Sequence, residues 1–491
     1  MRSNLARGRS LRRRSGFDSA PLSYAQERMW FLDQLEPGNT LYNGVRPTRW
    51  KGALDVEALE KAVSELVSRH EILRTRFPLR VAGPVQEIDP PTPCRLPQVE
   101  LSVGNQPALE AVYSWLKAEG RRPFRLTEET PFRAALLRIT PEDHVLALTI
   151  HHIAFDRWSR GVLLQELLQL YTAYATGQTS PLSDPPLQYQ DYAVWQRERM
   201  QDMEMVRSLE YWRNQLRGAP ARLQLSPDHT SRGSRGYRGR HLENALKASL
   251  VEELGAMSRR ERVSVFMTLL CGFLALLARI TGQTDLVVGV PVAGRTQPEL
   301  SRLIGCFTNT LVLRIDASGD PVFHELLNRV RRVCLAGYSH QEFPFEHLVR
   351  ELQPERKLGQ HPLFQVLFNY LDFDLETLSP PGIEVEELEM PSETALVDIA
   401  VEIRRAGADL ACSFSCNAEL FEPSMVDRLA REYLTALETL VFHPNLPISA
   451  IPAWRREPEP TVADSLIGEV EQMTDEEAER LLEAELRSGL R

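Results

Sequence analysis

The chain has 491 residues, 43% apolar and 25% charged, with 57 basic against 67 acidic side chains and a net charge of −10. At roughly 150 residues per domain, that length suggests about three domains or two large lobes. The balance excludes collagen, coiled coil and bulk disorder, and the longest apolar stretch, 265–278, is too short to span a bilayer and reads as a buried helix.

Residues 1–17 read as a basic arm. Six arginines and no acid fall within 1–16, and no apolar segment follows, so no secretory signal is read and the reducing cytoplasm is the expected compartment. An arm of this kind suits nucleic acid, but no basic stripe, finger or stacking motif accompanies it. A mixed α/β region then runs to about 180. Asp55 is a candidate N-cap for a helix with Val56, Leu59, Val63 and Leu66 on one face. Residues 142–150 read as a strand, and 159–174 as a helix with Leu163, Leu164, Leu167 and Tyr171 inward.

The Pro/Ser-rich stretch 178–188 reads as a connection to a second lobe ending near 451. A helix is expected over 191–217, then an Arg-rich loop at 227–240. Strands are expected at 285–290, 310–314, 364–370 and 397–403, and a closing helix at 423–442. Residues 452–464 form a Pro/charge linker. The tail 464–491, with nine acids and three bases, carries a capping box at Thr474 and Glu477. It reads either as a docking element or as a solvated end.

None of the six cysteines lies in a CxxC pair. Cys412 and Cys416, on a strand-like run, would be about 13 Å apart at strand rise, too far to bridge. Small buried hydrophobes are expected rather than a disulfide framework or a zinc site. Gly-rich phosphate loops are absent, so nucleotide binding has no motif.

The chemistry concentrates in 150–159, Ile-His-His-Ile-Ala-Phe-Asp-Arg-Trp-Ser. Two histidines follow a strand, with Asp156 four residues after the second. On a strand the two rings point to opposite faces, so one alone enters a given cleft. A neutral imidazole suits proton transfer near physiological pH. A buried Asp needs a cationic partner, and such a pair fixes a loop. The spacing of a metal site is missing, and the pair alone is also compatible with a core histidine.

This stretch resembles the HHxxxDG motif of nonribosomal peptide synthetase condensation domains, matched at His151, His152 and Asp156. Other motifs of that family follow in its order. Residues 23–30 resemble SxAQxR(L/M)W, 69–77 RHExLRTxF, 189–195 YxDYAVW, 304–310 IGxFVNT, 340–346 HQDxPFE and 361–364 NPLF. The resemblance implies an α/β (α+β) fold of two chloramphenicol-acetyltransferase-like lobes, 18–180 and 181–451, forming a V around a central tunnel. Carrier proteins for donor and acceptor would dock at the two mouths, each threading a phosphopantetheine arm. The acceptor amine would attack the donor thioester and form an amide.

By the same resemblance His152 is catalytic, and His151 turns away to support its loop. Asp156 is structural and pairs with an Arg of 69–77, here assigned to Arg74, with Arg69 and Arg76 as alternatives. Asn309, Trp158 and Ser159 are candidates to line the tunnel. Trp30, Phe77, Trp195, Phe307 and Phe345 are read as core. Residues 291–295 lead towards the crossover that floors the tunnel, and 371–396 form a latch onto the first lobe. No metal and no cofactor held by the domain itself is implied.

The motif's Gly is replaced by Arg157. That cation narrows the acceptor side of the tunnel, hydrogen-bonds an acidic or carbonyl group, or folds outward onto solvent. Close to the imidazole, it would depress the His152 pKa. The intact His pair and the SxAQ opening separate the chain from the heterocyclization, epimerization and oxygenase-recruiting branches, and a donor of L configuration or Gly is favoured. No adenylation motif and no carrier GGxS motif is present, so a free-standing condensation protein and a part cut from a megasynthase both stand, with adjacent synthetase modules as candidate partners in the second case, a monomer as default and neither nucleic acid nor membrane. Two alternatives stand beside amide formation: an ester- or amide-forming acyltransferase using a free alcohol or amine, and a catalytically silent docking platform for carrier proteins.

Overall fold

The computed structural model describes residues 10–13, 19–101, 107–220, 222–225, 236–354, 361–372, 379–390 and 394–452. Most of the basic arm, the 227–235 part of the Arg-rich loop and the acidic tail from 453 lie outside the described residues.

The first lobe is built on a five-stranded sheet in the order Glu384–Glu387, Asn43–Lys51, Asp143–His151, Phe132–Thr140, Gln98–Glu100. Strand Asp143–His151 is buried at every position after Asp143 because both of its faces are covered. Leu146, Leu148 and Ile150 meet helices Val56–Arg69 and Arg157–Ala175, while Val145 and Ala147 meet helix Ala108–Gly120 through Val112 and Leu116. Asp55 caps its helix through the Ala58 N–H at 2.9 Å. The inward side chains expected of both helices, Leu59, Val63 and Leu66 with Leu163, Leu164, Leu167 and Tyr171, are buried together. Trp50 is fully buried, edge-on to Tyr171 at 5.1 Å.

The second lobe holds a six-stranded sheet, Asn309–Asp316, Asp285–Val292, Val366–Leu371, Ile399–Ala406, Asp409–Asn417 and Gly239–Leu246. Its core centres on helix Val265–Thr281, the apolar stretch of the sequence, packed with helix Pro423–Phe442. All six cysteines are free, and five are buried. Among the described residues no single helix is long and apolar enough to cross a membrane.

The helix expected over 191–217 is two helices, Tyr189–Arg199 and Met203–Leu216. The first sends Tyr189, Tyr192 and Trp195 into the first lobe's core, while Met205 and Trp212 of the second join the other core. The changeover between lobes therefore falls near residue 200 rather than 180.

The second lobe returns to the first twice. Strand Glu384–Glu387 adds antiparallel to the edge of Asn43–Lys51, pairing Glu384 with Lys51 and Glu387 with Thr48, within the 371–396 segment expected as a latch. The loop 293–308 leaves the second sheet and buries Leu300, Leu303, Ile304 and Phe307 in the first core. Its close approaches need glycine. Gly294 has φ +66°, and a Cβ there would overlap the Phe307 carbonyl; a Cβ at Gly305 would overlap the Tyr189 ring.

Candidate active site

The central strand stops at His151, and His152 opens a single 3-10 turn, His152–Ala154. The His152 N–H extends the sheet ladder by donating to Tyr42 O at 2.8 Å. The turn is braced by Gln26, whose amide donates to Ile153 O at 3.3 Å. His151 is 3% exposed, packed against the rings of Tyr42 and Phe124, and its Nδ1 accepts the Ile153 N–H at 3.1 Å. Burial, then the neighbouring His152, pushes His151 down to about 3.

His152 is part-buried, with Nδ1 3.1 Å from Phe155 O. A carbonyl only accepts, so Nδ1 carries the proton and Nε2 keeps a lone pair. Burial first and the Arg46 guanidinium second lower its pKa to about 4, while the Phe155 carbonyl and Asp156 act the other way. The imidazole is therefore neutral at pH 7 and presents Nε2 as a base. The depressing cation is Arg46 and not Arg157.

Asp156 caps helix Arg157–Ala175 and has both carboxylate oxygens engaged. Oδ1 takes the Ser159 N–H at 2.8 Å, the Ser159 hydroxyl at 2.7 Å and Arg295 Nη2 at 3.0 Å; Oδ2 takes the Phe307 N–H at 3.0 Å. Arg295 and Asp156 are each only 3% exposed. Arg295 lies over the Phe307 ring at 4.0 Å and donates to Leu303 O at 2.8 Å. The expected Arg74 partner is thus corrected. Arg74 is bound to the Asp89 carbonyl, Arg69 to Glu166 and Arg76 to Asp89. The Asp156 carboxylate faces the loop crossing from the second lobe, not the 69–77 segment.

The three residues after Asp156 also reach that lobe. Arg157 pairs with Glu402 at 3.0 Å, and Asn369 supports Glu402 at 3.2 Å. Trp158 donates its indole N–H to Ser301 O at 2.8 Å. Ser159 is fully buried and accepts the Gly305 N–H at 3.0 Å. Asn309 donates to the Gln341 and Phe343 carbonyls at 2.8 Å each and accepts the Phe345 N–H at 2.9 Å. Ser159 and Asn309 thus tie neighbouring segments together, and the indole N–H of Trp158 is bound to the crossing loop. Arg295, which the motifs left unassigned, is bound to Asp156.

The sequence matches the Condensation domain family model over residues 17–456. It is 40% identical over 435 residues to a linear gramicidin synthase of Brevibacillus parabrevis, covering 88% of this chain but 6% of that synthase polypeptide. The chain belongs to the condensation-domain family. Among solved structures, the X-domain in complex with OxyB from teicoplanin biosynthesis aligns with a TM-score of 0.83 and 27% identity, covering 92% of this chain and 99% of that one. The starter condensation domain of rhizomide synthetase, in complex with C8-CoA and Leu-SNAC, aligns at 0.77 with 22% identity, covering 89% and 98%. The condensation-domain fold of two chloramphenicol-acetyltransferase-like lobes is thus the one expected. The chain spans 6% to 9% of the length of the gramicidin synthase polypeptides it matches.

Proposed function

We propose that this condensation domain joins a carrier-bound aminoacyl or peptidyl thioester to the amine of a carrier-bound aminoacyl acceptor, releasing the donor's thiol and forming an amide. The observation that carries the reading is the contact of His152 Nδ1 with Phe155 O at 3.1 Å, which in a neutral ring puts the proton on Nδ1 and the lone pair on Nε2. In the reaction Nε2 orients the acceptor amine and takes a proton as the N–C bond forms. The C–S bond then breaks, and the proton passes to the departing sulfur. General-base assistance of this kind is worth about 10²–10⁴-fold, and holding both thioesters in line adds to it. The phosphopantetheine arms arrive as parts of the substrates, and carrier proteins and neighbouring synthetase modules are the partners.

Arg157 and Glu402 act in this reading as a gate on the acceptor side. Their side chains are 39% and 36% exposed and close a link between the lobes where the family motif has Gly. This matches the second of the three readings of Arg157, with a carboxylate of the protein itself as the acid. A docking platform is the second reading, favoured by the likeness to an X-domain solved with OxyB. The deciding experiment loads one carrier with donor and a second with acceptor, then reads the acceptor carrier by intact mass. Transfer of the donor mass supports condensation. Carrier binding without transfer, over several amines and alcohols, overturns it in favour of docking.

A further inference from the structure

We propose that Arg160, Arg404, Glu387 and Glu389 are positioning residues for the Arg157–Glu402 gate: the six side chains form one closed ring of three ion pairs that straps segment 384–389 to both lobes. The inference rests on the gate described above. Three elements each supply two members of the ring. Helix Arg157–Ala175 supplies Arg157 and Arg160, three residues apart and so neighbours on its surface. Strand Ile399–Ala406 of the second lobe supplies Glu402 and Arg404, two apart and so on one side of the sheet. Strand Glu384–Glu387 supplies its last residue, and Glu389 follows it two positions later.

The pairs close on themselves. Arg157 reaches Glu402 at 3.0 Å, Arg404 reaches Glu389 at 2.7 Å, and Arg160 reaches Glu387 at 2.7 Å. The last pair is two-pronged, with Arg160 Nε donating to the other Glu387 oxygen at 2.8 Å. Two residues outside the ring aim its members. Asn369 donates to Glu402 at 3.2 Å, and Glu243 of edge strand Gly239–Leu246 takes the Arg404 guanidinium at 3.1 Å.

One ion pair at this exposure holds little, because two long side chains must be ordered to make it. A ring differs. Two pairs bring three elements together, and the third then forms between side chains already placed side by side. Segment 384–389 lies on the first lobe, where Val385 joins the first core and the Leu388 N–H donates to Pro47 O at 3.0 Å. Arg157–Glu402 and Arg404–Glu389 therefore both link the second sheet to elements packed on the first. The ring adjoins the site through Phe155, which lines one small cavity with Arg160 and Glu387 and whose carbonyl faces His152 Nδ1.

The test is amide hydrogen exchange at Leu388, read without turnover. Glu402→Gln and Arg157→Met replace no residue of segment 384–389. Each should nevertheless speed exchange there about two- to fivefold, the size of one exposed ion pair. Arg157→Lys, which keeps the cation, should stay near the wild-type rate. Glu402→Gln combined with Glu387→Gln should speed exchange by less than the product of the two single effects. In the transfer assay, Glu389→Gln should change the acceptor KM in the same direction as Arg157→Met, with kcat little altered. Wild-type exchange at Leu388 in folded Glu402→Gln and Arg157→Met overturns the proposal, and so does a double effect equal to the full product, since either makes the pairs independent. Coupled exchange with unchanged acceptor kinetics in every variant overturns the gate reading instead, so the two failures are told apart.

Discussion

Replacing Asp156 with alanine removes the Ser159 N–H, Ser159 hydroxyl, Phe307 N–H and Arg295 contacts together. It also leaves Arg295, 3% exposed, without its carboxylate. Breaking a buried pair from one side costs about 3–5 kcal/mol, and the lost helix cap is part of the same replacement. That is a large share of a stability of about 5–15 kcal/mol. Asp156→Ala and Arg295→Met should therefore each lower the urea midpoint followed by tryptophan fluorescence and circular dichroism. The double variant should lose less than the sum, by about 1–3 kcal/mol of coupling. Arg74→Ala combined with Asp156→Ala should add within about 0.5 kcal/mol. Additivity of the Asp156 and Arg295 changes, or coupling of Asp156 to Arg74, would refute the assignment. The same logic makes the loss of activity in Asp156→Ala a consequence of separating the crossing loop from the first lobe, not of removing a catalytic group.

The Arg157–Glu402 pair is more than a third exposed and should contribute no more than about 1 kcal/mol. Arg157→Gly and Glu402→Gln should then unfold close to wild type while changing the acceptor KM or the range of acceptors accepted; unchanged acceptor kinetics in both would remove the gate. His151 and His152 are held at about 3 and about 4, below the unfolded value near 6.5. The unfolded chain therefore binds protons first, and stability present above about pH 6.5 is lost as pH falls towards those values. Each contributes up to about 2 kcal/mol of loss by pH 5, to be read from urea unfolding at pH 7 and pH 5, with a shallower slope in His151→Phe. Gly294→Ala forces a Cβ against the Phe307 carbonyl at a positive φ. It should lower the thermal midpoint, whereas Gly177→Ala, at a similar φ of +70° with open space around it, should lower it less.

The strand that runs into the two histidines was legible because its determinants are local, all falling within 142–151. The pairing of 384–387 with 48–51 was not legible, because it joins segments more than 330 positions apart. Nor was Arg295, because it meets Asp156 across 139 positions and three arginines in 69–77 offered the same chemistry nearer by. The backbone ties of Asn309 and Ser159 were not legible either, because their partners at 341–345 and at Gly305 lie on other elements. Helix 189–199 showed the right period but not which core it served, because periodicity reports a buried face and not its neighbour.

The most direct test of the account is a single-turnover comparison of His152→Ala with the wild type, using saturating loaded donor and acceptor carriers. The account predicts a rate of donor transfer reduced by about 10²–10⁴-fold, with carrier binding and the unfolding midpoint in neutral buffer little changed. Transfer at the wild-type rate by folded His152→Ala would contradict it and leave alignment of the two thioesters as the source of catalysis.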